Sequence, residues 1–282
     1  MKVISTPAAI QRIAQEFRKQ GLTIGLVPTM GWFHEGHLSL MRKAKEKTDR
    51  VITTLFVNPM QFGPSEDLDN YPHDLERDCK LAEDCGVDIL FAPEKSSMYS
   101  DGFASAVHVE GLTDTLCGAS RPGHFDGVTT VLAKLFNQTL PHIAIFGEKD
   151  FQQLAVIRRM VKDLDFPIEI LGHPIVREAS GLAMSSRNTY LKDNEMEAAL
   201  SLSASISQAK EFAKEKKSAA DIIVAVTKKI TKHKECSIDY IEIVNGINLK
   251  SCAKIDSKSQ ILLAVKINNR IRLIDNSQLL EN

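Results

Sequence analysis

The run from Thr23 to Leu40 constrains this chain more than any other. Thr23-Ile24-Gly25-Leu26-Val27 is short, apolar and β-branched at its ends, the composition of a buried strand. Pro28 is expected to end it, because proline donates nothing to a central ladder. Leu38, Met41 and Ala44 then recur at helical spacing among Arg42, Lys43, Lys45 and Lys47, so a helix begins near Gly36. The loop between strand and helix is Met30-Gly31-Trp32-Phe33-His34-Glu35-Gly36-His37. A helix N-terminus offers backbone N–H groups and a partial positive charge, which suit phosphate. Gly31 and Gly36 let backbone approach a ligand closely. Two imidazoles three residues apart at that place can donate to phosphate oxygens.

The rest of the chain reads as alternating strands and helices up to about residue 175. Thr6 to Lys19 is a first helix closed by Gly21, and Val51 to Val57 is a second buried strand. Leu75 to Cys85 is a helix closed by Gly86, and Val87 to Phe91 a strand stopped by Pro93. His142 to Phe146 and Phe151 to Val161 add a further strand and helix. Such alternation argues for an α/β, Rossmann-like parallel sheet covered on both faces, with ligands at the carboxyl ends of the strands. Ser96 to Asp126 is less regular, and Arg121-Pro122-Gly123-His124-Phe125-Asp126-Gly127 reads as a loop over the site. Leu200 to Lys214 and Ala219 to Lys232 are lysine-faced amphipathic helices. Ile238 to Val244, Gln260 to Val265 and Arg270 to Ile274 are strand-like. We therefore expect an N-terminal domain over residues 1–178 and a smaller α+β domain with an antiparallel sheet over residues 179–282.

Composition narrows the function class. The 282 residues carry a formal net charge of −1, which gives no reason to expect a nucleic-acid or membrane partner. Met1 to Pro7 lacks the apolar core of a signal peptide, and no run approaches the ~18 apolar residues of a spanning helix. The five cysteines, Cys79, Cys85, Cys117, Cys236 and Cys252, form no CxxC, so neither a disulfide framework nor a zinc site is expected. Buried free thiols in a reducing cytoplasm are the expectation.

The loop resembles the HxGH signature of the nucleotidylyltransferase superfamily, and Pro28-Thr29-Met30-Gly31 ahead of it narrows the resemblance to the pantothenate synthetases. Four further strings match that family in order and spacing: Asn58-Pro59-Met60-Gln61-Phe62-Gly63, Arg121 to Gly127, Gly147-Glu148-Lys149-Asp150-Phe151-Gln152-Gln153, and Ser185-Ser186-Arg187-Asn188. The resemblance implies that pantoate attacks the α-phosphate of ATP and that β-alanine then takes the pantoyl group from AMP. It implies an ATP surface of Met30 to His37, Gly147 to Asp150, Val176 and Met184 to Arg187. His37 would be the proton donor, with His34, Lys149 and Arg187 as further catalytic groups. Gln61 and Gln153 would hold pantoate, and Gln61 β-alanine as well. Mg²⁺ would accompany ATP, with Asp78 the matching carboxylate. Asp74 and Asp78 also share one helix face, so a solvated acidic face stays open as the alternative reading. A homodimer is implied too, with the C-terminal domain as a lid.

The chain departs from the family in places. Trp32-Phe33 stands where Ala-Leu is common, His73 where arginine is usual, and Ser180 where aspartate is common. Another HxGH nucleotidylyltransferase, or a nucleotide-binding regulator without turnover, are the competing functions. The first shares HxGH but not the paired Gln61 and Gln153 strings, and the intact His34, His37, Lys149 and Arg187 argue against the second.

Overall fold

A computed structural model describes residues 1–64 and 66–280. The chain divides into two compact units. The first comprises Met1–Glu148 with Val156–Pro174; the second comprises Lys149–Ala155 with the chain from Ile175 onward.

The first unit is built in chain order from β1 (Lys2–Ile4), α1 (Pro7–Lys19), β2 (Ile24–Thr29), α2 (Glu35–Lys47), β3 (Arg50–Leu55), α3 (Leu75–Asp84) and β4 (Ile89–Phe91). Two short helices follow, α4 (Lys95–Met98) and α5 (Cys117–Ser120), then α6 (His124–Thr139), β5 (Ile143–Gly147), α7 (Phe151–Asp163) and β6 (Glu169–His173). The first turn of α7 belongs to the second unit. The described strands of this unit form one parallel sheet in the order β1-β4-β3-β2-β5-β6. Val27, Val51, Leu90 and Ile145 of the sheet pack with Leu40, Met41 and Ala44 of α2 and Ala82 of α3. The chain runs outward from β2 in one direction to β3 and β4, and in the other to β5 and β6. The strand order therefore reverses between β2 and β5, the switch point at which open α/β sheets bind ligands.

Three local outcomes differ from expectation. Pro28 lies inside β2, paired with Thr54 of β3, rather than ending the strand. The carbonyl of Thr29 accepts from Phe56 on the β3 side, so the alternating backbone turns Pro28 towards β5. Pairing with β5 there covers only Gly25 and Leu26, so the missing N–H breaks no ladder. Second, His124 to Gly127 are not loop but the first turn of α6, entered through Gly123 at φ 79°. Third, α6 is a helix where the sequence reading places no element: it buries a wide face from His124 and Phe125 to Phe136 and Thr139 and leaves a narrow stripe of Asp126, Lys134, Asn137 and Gln138 towards solvent.

Gly127 of α6 allows a close crossing. A Cβ there would meet the Met60 carbonyl oxygen at 2.3 Å and the Gln61 nitrogen at 2.6 Å. The backbone of the single 3₁₀ turn Pro59–Gln61 thus rests directly on α6.

The second unit contains α8 (Met196–Lys214), α9 (Ala219–Ile230) and an antiparallel sheet of β7 (Cys236–Asn245), β8 (Ser259–Ile267) and β9 (Ile271–Gln278) in the order β7-β8-β9. Leu202, Ile206 and Ala209 of α8 and Ile222 and Val226 of α9 pack on Ile261, Leu263 and Val265 of β8. The buried Glu195 ties the start of α8 to the β8–β9 turn. Its carboxylate accepts the Lys192 N–H at 2.9 Å, Asn268 Nδ2 at 2.7 Å and Arg270 NH2 at 2.8 Å. These donors hold its pKa down at about 2, the Lys192 N–H first among them.

Two outcomes are expected. Glu195 is ionised in the folded chain at pH values where the unfolded chain binds a proton. Its stabilisation is therefore complete above the usual 4.5 and is lost as pH falls towards about 2. Thermal unfolding followed across that window should show a shallower acid decline in Glu195→Gln than in the parent. Gly127→Ala should push the Pro59–Gln61 turn off α6 at about 1–3 kcal/mol of strain. For a chain of this size that lowers Tm by roughly 2–4 °C per kcal/mol, measurable by calorimetry.

Candidate active site

The loop after β2 is shaped by its own side chains. Gly31 takes φ 92° and Trp32 φ 50°, both left-handed. Phe33 turns back into the core among the α2 and α3 side chains and is fully buried. The bulk of Trp32-Phe33 is therefore divided, with Phe33 in the core and Trp32 half-buried under the Arg77 guanidinium, 4.8 Å from its ring centroid. His34 is the N-cap of α2. Its Nδ1 accepts the Gly36 N–H at 3.1 Å, and His37 Nδ1 accepts the His34 N–H at 3.4 Å. The two rings lie 4.1 Å apart.

These contacts fix the imidazole chemistry. A ring that accepts at Nδ1 carries the proton of its neutral form on Nε2. Both histidines are thereby set as Nε2–H donors by the backbone they cap. The helix start is less open than its sequence suggests. Gly36 N–H is taken by His34, and the His37 N–H donates to the His34 carbonyl at 2.8 Å. The Glu35 side chain pairs with Arg42 on the exposed face of α2.

Asp78 is neither on a solvated face nor disposed as a metal ligand. It is fully buried, while Asp74 caps α3 by accepting the Arg77 N–H at 3.0 Å. Asp78 Oδ2 accepts the Trp32 N–H at 2.6 Å, and Oδ1 accepts the Phe33 N–H at 2.8 Å and Arg77 NH1 at 3.1 Å. Burial pushes its pKa up against the opposing pull of those donors. Among the described residues no group of three His, Cys, Asp or Glu side chains could hold a metal ion. A carboxylate engaged by two backbone N–H groups and a guanidinium anchors a loop; it does not fit the part of a Mg²⁺ ligand.

Gln61 ends the turn Pro59–Gln61 and meets the β2 loop directly. Its Nε2 donates to Met30 Sδ at 3.1 Å. Asn58, named in its string but not as a site residue, uses its whole amide to hold this turn. Nδ2 donates to Gln61 Oε1 at 3.1 Å and to the Gly127 carbonyl at 3.0 Å. Oδ1 accepts from Met60 N–H at 3.3 Å and Tyr99 OH at 2.7 Å. Burial raises the Tyr99 pKa to about 12, so the phenol keeps the proton it donates. The Gln61 carbonyl accepts from His124 Nδ1 at 2.8 Å and from Arg121 NH2 at 3.2 Å. Arg121 also grips both Glu66 oxygens at 2.6 Å. Burial acts to raise the Glu66 pKa, but the Arg121 hydrogen bond and charge outweigh it and hold the carboxyl below its ordinary range. Sequence reasoning missed Asn58, Glu66, Tyr99 and His124 as supports because their partners lie about 40–70 residues away along the chain.

The remaining candidates divide by unit. Gly147 ends β5 and Glu148 starts a 3₁₀ turn, both in the first unit. Lys149 and Asp150 finish that turn and Gln153 lies in the first turn of α7, in the second unit. There the Lys149 carbonyl accepts Asn276 Nδ2 at 2.8 Å. Val176 to Met184 fold into a small hairpin, with Met184 N–H on the Val176 carbonyl at 3.0 Å and Gly181 at φ 92° in its turn. Arg177 anchors the hairpin to β9 through Asp275 at 2.7 and 2.9 Å. Ser185 caps the turn Ser186–Tyr190 that carries Arg187, accepting the Arg187 N–H at 3.3 Å. Asn188 ties this turn back to Glu178 at 2.7 Å and to the Ala183 carbonyl at 3.1 Å. Lys149, Ser185, Asn188 and Asp275 line one small cleft.

The family model for pantoate-beta-alanine ligase matches residues 2–278. The chain is 51% identical over 282 residues to a pantothenate synthetase of Syntrophotalea carbinolica, covering 100% of this chain and 99% of the relative. It is 52% identical over 277 residues to that of Moorella thermoacetica, covering 98% of each. The crystal structure of pantothenate synthetase from Thermus thermophilus superposes with a TM-score of 0.94 at 42% identity, covering 99% of both chains. That of the pantoate-beta-alanine ligase from Francisella tularensis, complexed with β,γ-ATP and β-alanine, superposes at 0.80 with 32% identity over 99% of this chain and 98% of that one. An HxGH loop at the start of α2, a glutamine-bearing turn beside it, and a match along almost the whole length lead to one assignment: this chain belongs to the pantoate-beta-alanine ligase family.

Proposed function

We propose that the chain condenses pantoate with β-alanine at the expense of ATP. In the first step a pantoate carboxylate oxygen bonds to the α-phosphorus and the bond to the leaving pyrophosphate breaks, giving pantoyl adenylate. In the second the β-alanine amine bonds to the acyl carbon, AMP leaves with the C–O electron pair, and the amine gives up a proton. The observation that carries this reading is the pair of Nε2–H imidazoles at the start of α2, beside Met30 and Gln61. Charge grows on the α-phosphate and on pyrophosphate in the first step, and preorganised donors stabilise it most where water is excluded.

In this reading Met30 to His37, Gly147 to Asp150, Val176 and Met184 to Arg187 contact ATP. His37 gives a proton, His34 donates beside it, Lys149 sets a point charge against phosphate, and Arg187 grips phosphate oxygens with its fork. Gln61 and Gln153 hold pantoate, and Gln61 also holds β-alanine, an amide being able to donate and accept at once. Mg²⁺ comes with ATP, held by phosphate oxygens and water. Residues 179–282 act as a lid that keeps water from the acyl adenylate. A cytoplasmic homodimer completes the proposal, supported by the family resemblance.

The deciding assay is release of AMP from ATP that requires both pantoate and β-alanine; AMP formed without pantoate would sink the reading. His37→Asn keeps an acceptor near the Nδ1 position but loses the Nε2–H. Its rate of pantoyl-adenylate formation should fall about 10²–10³-fold with Tm little changed. Gln61→Ala should raise KM for pantoate more than KM for ATP, by the factor that about 0.5–1.5 kcal/mol of lost hydrogen bonding gives. Equal rises for both substrates would remove Gln61 from the pantoate site.

A further inference from the structure

The turn ahead of His34 is held from α3. Trp32 at φ 50° follows Gly31 at φ 92°, and a bulky residue keeps such a conformation only where its surroundings over-determine it. Two adjacent residues do so. Asp78 accepts the N–H groups of Trp32 and Phe33 at 2.6 and 2.8 Å. Arg77 NH2 donates to the Phe33 carbonyl at 2.8 Å, NH1 donates to Asp78 at 3.1 Å, and the guanidinium covers the Trp32 ring. A side chain at Gly31 would in turn press on Asp78 Oδ2, at 3.2 Å from the added Cβ. The N–H and ring of Trp32 and the N–H and carbonyl of Phe33 are thus all engaged. The next residue is His34, whose own N–H sets the His37 ring.

We propose that Arg77 and Asp78 are positioning residues for the His34–His37 pair, clamping the loop in its reactive shape without touching substrate. The proposal rests on the adenylation reading. It makes α3 part of the catalytic apparatus through geometry, since a misplacement of about 1 Å in a reacting group can cost 10²-fold in rate.

Trp32 is the single tryptophan of the chain, so its fluorescence reports on this turn alone. In Arg77→Met, single-turnover pantoyl-adenylate formation should fall about 10–100-fold. KM for β-alanine should stay unchanged, and acrylamide quenching of Trp32 should rise. Arg77→Lys, which restores one donor and the charge, should recover part of both effects. Asp78→Asn should behave like Arg77→Met; if it fails to fold, the two Arg77 variants, at a side chain 40% exposed, carry the test. A wild-type adenylation rate in Arg77→Met would overturn the proposal, and so would a reduced rate with Trp32 quenching unchanged. If the parent enzyme itself makes no pantoyl adenylate, the proposed function fails separately. The quenching comparison then still decides the clamp: a rise upholds the grip on the loop, and no change overturns it.

Discussion

A parallel sheet aligns the carboxyl ends of all its strands along one edge, and the first unit depends on that constraint. β2 lies at the centre of the strand order, next to the reversal, and its ladder with β3 continues through Pro28 and Thr29. The loop that leaves it emerges where neighbouring connections diverge, a position at which backbone is exposed without being unsupported. Everything chemically distinctive in the unit then concerns how irregular backbone at that edge is held still. Buried polar groups are costly unless paired, and here they are paired with the loops themselves. Asp78 is spent on two peptide N–H groups, and Asn58 uses every donor and acceptor of its amide.

The sequence carried the elements whose burial is one-sided. α1, α2 and α3 show an apolar stripe and a charged face, and β2, β3, β4 and β5 are short apolar runs between turn signals. It did not carry α6, whose wide buried face leaves only a narrow polar stripe of Asp126, Lys134, Asn137 and Gln138. β1 and β6 were also missed: one is three residues long, and the other is the polar-interrupted edge strand Glu169–His173. The HxGH loop, Gln61, the Gly147 turn and the Ser185 turn were legible as ordered strings. Their supports were not. Arg121 and His124 bond the Gln61 carbonyl across 60 and 63 residues, a relation that exists only once the chain is folded.

Tautomers show how much the surroundings decide. His34 and His37 accept backbone N–H groups at Nδ1. His124 donates from Nδ1 to a carbonyl and takes the Arg121 N–H at Nε2, 3.0 Å away. The same side chain is thus a donor at opposite ring nitrogens at the starts of two helices of one unit. In each case the choice is made by whether the nearest peptide group presents hydrogen or oxygen.

The sequence distance between the two halves of each clasp bears on how such a site comes into being. Phe33 waits for Asp78, 45 residues later, and Asn58 waits for the Gly127 carbonyl, 69 residues later. Closing loops of that length costs entropy that local structure does not recover. On a ribosome, the Pro59–Gln61 turn is therefore made long before the α6 backbone on which it rests. The nascent chain acquires these organised loops only after α6 has followed. The order of these loops is thus a late product of synthesis, although the His34-Glu35-Gly36-His37 string lies within the first forty residues.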